Sequence, residues 1–140
     1  MLKNSISFLL DSLFFLNSLE ILDLRCNKLS NTSEIIDKLK TLKELNLYEN
    51  NLKELPSSIG NIPTLEKLDI SNNDLYDLPK SFLQLDKLKD FSLISNKRFK
   101  ISSILHILCS LKSLETLTIS QSQIDIDFKL DNVRITTVMN

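Results

Sequence analysis

Leu42 to Leu52 reads LKELNLYENNL, and Leu65 to Leu75 reads LEKLDISNNDL. The shared pattern is LxxLxLxxNxL, and it fits three further stretches: Leu19 to Leu29, the run LKDFSLISNKRF from Leu88, and Leu114 to Ile124. The five starts are separated by 23, 23, 23 and 26 residues. Self-similarity at this spacing indicates a stack of supersecondary units that bury a continuous core together.

Each copy contains a short alternating stretch followed by an asparagine. The fourth and sixth positions are apolar between mostly polar neighbours, as a strand with one buried face requires. These inward pairs are Leu22/Leu24, Leu45/Leu47, Leu68/Ile70, Phe91/Leu93 and Leu117/Ile119. The asparagines that follow are Asn27, Asn50, Asn73 and Asn96, and Ser122 takes this place in the last copy. An Asn amide both donates and accepts hydrogen bonds, so it can satisfy backbone groups buried in a turn.

The pattern resembles the leucine-rich-repeat (LRR) family over almost the whole chain. Two middle copies extend it to LxxLPxxIxxL, with Leu55-Pro56 and Leu78-Pro79 at the corner, similar to the 23-residue class of Ras-pathway scaffold and bacterial LRR proteins. The resemblance implies an α/β leucine-rich-repeat solenoid, a curved right-handed superhelix. A short-stranded parallel sheet would line the concave face, and short helices or 3-10 turns the convex face. It also implies that the four asparagines form a structural ladder.

We expect one LRR domain spanning residues 1–140. Its predicted parts are a partial N-terminal repeat (1–18), five repeats (19–41, 42–64, 65–87, 88–113 and 114–124) and a C-terminal cap (125–140). Helices are expected near 33–40, capped by Ser33, and near 103–112, after Ser102 or Ser103, with only short or 3-10 turns after the Leu-Pro corners. In the cap, Asp131-Asn132 is a candidate turn. A capping hairpin and a degenerate strand both fit, and we favour a cap that ends in one more sheet strand.

The apolar start of the chain has two interpretations. It resembles a signal peptide, but Asp11 interrupts the apolar run and no small-x-small cleavage site follows. Counting back 23 residues instead places Asn4 at the asparagine position, and Leu13 and Leu16 opposite Ile59 and Ile62. We favour a partial repeat. Its uncovered sheet edge would allow self-association through this end.

Composition narrows the classes of function. Seventeen basic and 18 acidic residues give a net charge of −1, which argues against nucleic-acid binding because phosphates need a basic face. No apolar run is long enough to span a bilayer. Cys26 and Cys109 lie about three repeats apart, too far for a disulfide; free thiols slightly favour the cytoplasm over secretion, with the compartment left open. His106 lies near Cys109 in a predicted convex helix, where we interpret it as a packed or surface residue. Since no phosphate loop, metal-ligand cluster or nucleophile elbow appears, we expect neither enzymatic activity nor a cofactor.

The resemblance implies that a protein partner binds the concave face, where outward strand positions lie. The candidate partner-binding residues are Ile21, Asp23, Arg25, Glu44, Asn46, Tyr48, Lys67, Asp69, Ser71, Asp90 and Ile94. Tyr48 and Arg25 are of the types that most often anchor an interface. The second positions alternate in sign and predict a surface charge ladder, formed by Glu20, Lys43, Glu66, Lys89 and Glu115.

Three functions remain open on these grounds. The first is a non-enzymatic interaction module acting as adaptor, regulator or recognition protein. The second is a truncated or structural LRR relic without its own partner, suggested by Phe91 in place of leucine, Arg98 at an apolar position and Ser122 in place of asparagine. The third is the recognition part of a larger effector enzyme.

Overall fold

The computed structural model describes residues 5–9 and 11–139, and they form the predicted solenoid. Six strands make one parallel sheet in which each strand pairs with the next along the chain. The strands are β1 (Ile21–Asp23), β2 (Glu44–Asn46), β3 (Lys67–Asp69), β4 (Asp90–Ser92), β5 (Thr116–Ser120) and β6 (Arg134–Val138). Sequential parallel pairing requires each connection to cross over and return, as a repeat that makes one full turn does.

Repeat length sets the register of the sheet. Leu22 lies opposite Leu45, and Leu45 lies opposite Leu68, because each repeat returns the chain to the same strand position. Equivalent leucines therefore stack in rows, and Leu45 and Leu68 are both 2% exposed. Since one repeat cannot cover its own apolar face, this stacking of neighbours supplies most of the stability.

The convex side carries mainly 3-10 helices. Four of them begin 23 residues apart: Asp11–Phe15, Glu34–Lys38, Ser57–Asn61 and Lys80–Gln84. The prediction of 3-10 turns after the Leu-Pro corners is confirmed. The prediction of a helix over 33–40 needs correction, because that segment is a 3-10 helix of only five residues. Ser33 caps it as predicted, and its side chain accepts a hydrogen bond from the Ile35 amide.

The 26-residue repeat contains the one α-helix among the described residues, α1 (Ile101–Leu108). Its three extra residues allow eight residues of helix where the shorter repeats have five. The predicted start at Ser102 or Ser103 is wrong, because the N-cap is Lys100. The expectation that Arg98 fills an apolar position is also wrong. Phe99 is fully buried there instead, and Arg98 is exposed.

The C-terminal segment ends in one more strand, not in a hairpin. β6 is parallel to β5 and continues the register, with Thr116 opposite Arg134. Asp131 and Asn132 form the turn that precedes it, and Asn132 has a φ of 61°.

At the N-terminal end, Ile6 already makes the backbone hydrogen bond that is typical of its position in the repeat. The Ile6 amide donates to Asn27 Oδ1 at 3.1 Å, as the Leu29 amide donates to Asn50 Oδ1 at 3.0 Å. Leu16 donates its backbone amide to the Leu13 carbonyl, as Ile62 does to Ile59, but Leu16 remains exposed. Phe14, which the sequence did not single out, is fully buried. The predicted position of Asn4 lies outside the described residues.

The concave sheet face as a candidate binding surface

An asparagine ladder fixes where each strand ends. Asn73 Nδ2 donates to the carbonyls of Leu47 and Ile70 at 2.9 and 3.0 Å, and Asn73 Oδ1 accepts the Leu52 amide at 3.0 Å. Asn50 makes the equivalent bonds one repeat earlier, and Asn96 does so one repeat later. Each side chain therefore joins backbone groups of two successive repeats. These bonds keep the spacing and orientation of neighbouring strands the same along the sheet.

The ladder continues past Ser122 through a residue that the sequence did not suggest. Gln123 is 1% exposed, and its Nε2 donates to the Leu93 carbonyl at 3.0 Å, as Asn96 does to Ile70. Gln123 Oε1 accepts the Ser120 amide at 2.7 Å. The side chain of glutamine is one methylene longer than that of asparagine, which allows it to act from one residue later. The adjacent Gln in SQSQI was the available signal.

The outward positions of β1 to β5 line a groove of about 390 Å3. Eight of the eleven predicted residues line it: Ile21, Asp23, Arg25, Glu44, Asn46, Lys67, Asp69 and Asp90. Ser92, Thr116 and Thr118 complete its C-terminal part. We call this surface the concave groove.

The other three predicted residues lie beyond the strand ends, outside the groove lining. Ser71 is 1% exposed, and its hydroxyl contacts Ser92 Oγ at 2.7 Å and accepts the Ile94 amide at 3.1 Å. The expectation that it faces outward is therefore wrong. Tyr48 and Ile94 are half-buried, and the Tyr48 hydroxyl accepts a hydrogen bond from Asn72 Nδ2 at 2.9 Å. Tyr48 and Ser71 thus contact the following repeat, whereas Arg25, at the same position of the first repeat, lines the groove.

Some groove residues also stabilise the turn below them. The Oδ1 atoms of Asp23, Asn46 and Asp69 each accept the backbone amide two residues later, at 3.1, 3.0 and 2.9 Å. Asp and Asn favour such local bonds because their side chains are short. The recurrence of Asp or Asn at this position in three repeats is the sequence signal of this structural role. These side chains are consequently held in one orientation on the groove floor.

The concave groove contains more acidic than basic side chains. Two ion pairs lie on its floor: Arg25 Nε to Asp23 Oδ2 at 3.0 Å, and Lys67 Nζ to Glu44 Oε1 at 3.1 Å. The hydrogen bond with Glu44, together with the charges of Glu44 and Asp90, raises the pKa of Lys67. Asp69 and Asp90 add two further carboxylates, so the lining residues carry four acidic groups and two basic ones. The groove is acidic towards its centre.

Beside the groove, the second-position charges combine in pairs. Lys43 Nζ lies 2.9 Å from Glu20 Oε1, and Lys89 Nζ lies 2.8 Å from Glu66 Oε2. The hydrogen bond from Lys89 and its positive charge lower the pKa of Glu66. The predicted alternation of sign thus places opposite charges on adjacent rungs, where like charges would repel.

We also searched the described part of the chain for metal sites, disulfides and membrane-spanning helices. There, no three His, Cys, Asp or Glu side chains are arranged to hold a metal ion. Neither cysteine forms a disulfide within the described residues; Cys26 is buried and Cys109 is exposed. Within residues 5–9 and 11–139, no helix has the length and apolar character to cross a membrane.

Comparison with known proteins finds leucine-rich-repeat proteins both among family models and among solved structures. A family model described as a leucine-rich repeat region matches residues 2–135. A solved leucine-rich-repeat protein of Leptospira interrogans is similar over 99% of this chain, with 28% identity and a TM-score of 0.83. The chain spans only 37% of that protein's length. A search of curated proteins returned no match.

Proposed function

Because this chain belongs to the leucine-rich-repeat family, we propose that it binds a partner protein in its concave groove. Proteins of this family generally act as protein-interaction modules, and their fold is generally not enzymatic. The observation that carries the proposal is the groove itself, in which outward side chains from five successive strands converge on a common surface. Repeat proteins use extended surfaces of this kind for binding.

The rigidity of the groove floor supports this proposal. Its strands are held by the asparagine ladder, and three of its polar side chains are held by bonds to their own turns. A surface that is already ordered loses little conformational entropy on binding, so more of the contact energy contributes to affinity.

The chemistry at the N-terminal end of the groove suits an anchor point. Ile21 is 59% exposed, and the guanidinium of Arg25 lies at the same end, held by Asp23. An exposed apolar side chain beside arginine is a combination found at interface hot spots. Asp69 and Asp90, towards the centre, favour a partner that carries a basic residue there.

Features that had suggested a relic have structural explanations. Phe91 is buried and its ring centroid lies 5.3 Å from that of Phe82. Phe99 occupies the core position that Arg98 had been expected to fill, and Gln123 continues the ladder past Ser122. The fourth and fifth repeats therefore pack as fully as the regular ones. This packing argues against the interpretation of the chain as a degenerate relic.

The proposal is tested by capture from the native source with a concave variant and a matched convex variant. The concave variant carries Ile21→Glu, Lys67→Glu and Asp90→Lys. The convex variant changes the exposed last residue of three successive 3-10 helices, as Lys38→Glu, Asn61→Lys and Gln84→Lys.

We expect a partner that the wild type and the convex variant retain equally and that the concave variant loses at least about tenfold, the effect of 1.4 kcal/mol. A partner lost only with the convex variant would contradict the proposal. So would specific partners retained equally by all three proteins, since binding would then not involve the concave groove.

A further inference from the structure

We propose that the partner segment in the concave groove carries an arginine whose guanidinium is held between Asp69 and Asp90. This inference rests on the proposed function and specifies the chemistry of the partner at one place in the groove. The occupant is an extended segment of another protein, with its arginine side chain over β3 and β4.

Asp69 and Asp90 lie diagonally across two neighbouring strands at the centre of the groove. In the register of the sheet, Asp90 lies opposite Lys67, and Asp69 lies opposite Ser92. Strand spacing and rise per residue place the Cα atoms of the two aspartates about 8 Å apart, within reach of one long side chain between them. β2 and β5 flank these strands, so the site is internal to the sheet.

The basic side chains of the groove do not neutralise these two carboxylates. Each of the two is paired with another acidic residue. Lys67 Nζ lies 3.1 Å from Glu44 Oε1 on β2, and among the described residues no ion pair reaches Asp69 or Asp90. Asp90 contributes to the raised pKa of Lys67, but less than the hydrogen bond and the charge of Glu44 do. The centre of the groove therefore keeps an excess of negative charge.

The charge ladder beside the groove shows the contrasting arrangement. There, Lys43 Nζ lies 2.9 Å from Glu20 Oε1, and Lys89 Nζ lies 2.8 Å from Glu66 Oε2, so acidic and basic side chains alternate on adjacent strands. The groove centre lacks this internal compensation in the described chain. A cation supplied by a partner would provide it, and complementary charges of this kind give an interface its specificity.

Hydroxyl groups lie next to both carboxylates. Thr116 lies opposite Asp90, and Ser92 lies opposite Asp69, and both line the groove. A guanidinium has five N–H donors in a fixed plane, so it can bond to two carboxylates and to a neighbouring hydroxyl oxygen at once. The ammonium group of lysine is compact and has three donors. The surroundings therefore favour arginine over lysine.

The Asp69 carboxylate is already oriented for such a contact. Its Oδ1 atom accepts the Ser71 amide at 2.9 Å, and no hydrogen bond within the described residues engages its Oδ2 atom. A carboxylate that is held in place loses little freedom when it binds a ligand. Asn46 makes the same turn bond at 3.0 Å in the preceding repeat, so an asparagine at position 69 would keep the turn while removing the charge.

The width of the groove floor favours an extended segment over a helix. The floor consists of two rows of outward side chains, at the third and fifth positions of each repeat, which are about 7 Å apart. An α-helix with its side chains is about 10–12 Å wide and exceeds this floor. An extended segment is narrower and directs alternate side chains towards the floor.

Peptide selection tests this chemistry without requiring the native partner. A phage library of random peptides of about 12 residues, longer than the groove when extended, is selected on the 140-residue chain. Peptides that bind the wild type but not the concave variant are the groove ligands. We expect these peptides to carry an arginine. When citrulline, its neutral isostere, replaces that arginine in the synthetic peptide, fluorescence anisotropy should show binding at least about tenfold weaker.

Variants of the protein test the same contact from the other side. Asp69→Asn with Asp90→Asn should weaken binding of the arginine peptide at least about tenfold and should change binding of the citrulline peptide little. Lys67→Gln removes the nearby positive charge and should tighten binding of the arginine peptide severalfold. Asp37→Asn with Asp86→Asn makes the same change of charge outside the groove, and this matched control should bind as the wild type does.

The possible failures of the two proposals differ. Groove ligands that lack arginine, equal affinities of the arginine and citrulline peptides, or a selection that yields no groove ligand would overturn the arginine site and leave the proposed function standing. The same holds if the Asp69→Asn/Asp90→Asn variant binds the arginine peptide as the wild type does. Selected peptides that all bind the concave variant as tightly as the wild type would contradict both proposals, because binding would then lie outside the groove.

Discussion

Replacing Asn73 with alanine tests the ladder that positions the concave groove. The change removes the one acceptor that the described residues provide for the buried Leu52 amide. The carbonyls of Leu47 and Ile70 each retain a second side-chain donor, Asn50 and Asn96 respectively. An orphaned buried amide costs about 1–3 kcal/mol, and two lost net hydrogen bonds add about 0.5–1.5 kcal/mol each. We therefore expect Asn73→Ala to lower the free energy of unfolding by about 2–6 kcal/mol.

Urea unfolding followed by far-UV circular dichroism measures this change. With a slope of about 1–3 kcal/mol/M, the midpoint should fall by on the order of 1 M or more while the slope stays constant. Asn51→Ala is the matched control, because Asn51 is the exposed neighbour in the equivalent turn, and its effect should stay within about 0.5 kcal/mol. If Asn73→Ala costs less than about 1 kcal/mol, the reasoning on buried backbone groups is refuted.

Three further changes test other parts of the structure. An alanine β-carbon at Gly60 would clash with the backbone carbonyl of Ser81, so Gly60→Ala should cost at least about 1–3 kcal/mol in urea unfolding; an unchanged midpoint would contradict the close approach. Asn72 has a φ of 52°, so Asn72→Val should be about 1–2 kcal/mol less stable than Asn72→Gly, and equal stabilities would argue against the left-handed turn. Partial burial acts to raise the pKa of Glu34, but hydrogen bonds from Ser57 and Ser58 outweigh it and hold the pKa below 4.5. The Glu34 carboxylate therefore stabilises the fold above about pH 4.5, and this contribution is lost as the pH falls through the folded pKa. The urea midpoint of Glu34→Gln should accordingly fall less steeply than that of the wild type on acidification below about pH 4.5, and parallel curves would show that the carboxylate does not contribute.

The strands of the sheet could be predicted from the sequence because they depend on one local feature. A pair such as Leu45 and Leu47 marks the inward face directly, and the 23-residue spacing sets the register with the next pair. The convex side was harder, because its helix type depends on how many residues remain to close a turn. The segment after Ser33 has α-helical signals, but the repeat leaves room for only five residues of 3-10 helix.

Most of the candidate site was also predictable, since outward positions follow from the same alternation. The exceptions lie where a strand ends and the backbone turns. Ser71 continues the alternation on paper, yet the turn places its hydroxyl against Ser92 and buries it. Gln123 was missed because a ladder defined by asparagine at fixed spacing does not anticipate a longer side chain acting from the next residue.

The central claim, that a partner protein binds in the concave groove, is tested most directly by site-specific photo-crosslinking in the native source. A photoreactive residue would replace Asp90 or Thr116 in the groove, and Asn61 or Gln84 on the convex side. The proposed function predicts a defined adduct from the two groove positions and none from the two convex ones. An adduct formed only from Asn61 or Gln84, or equally from all four positions, would contradict it.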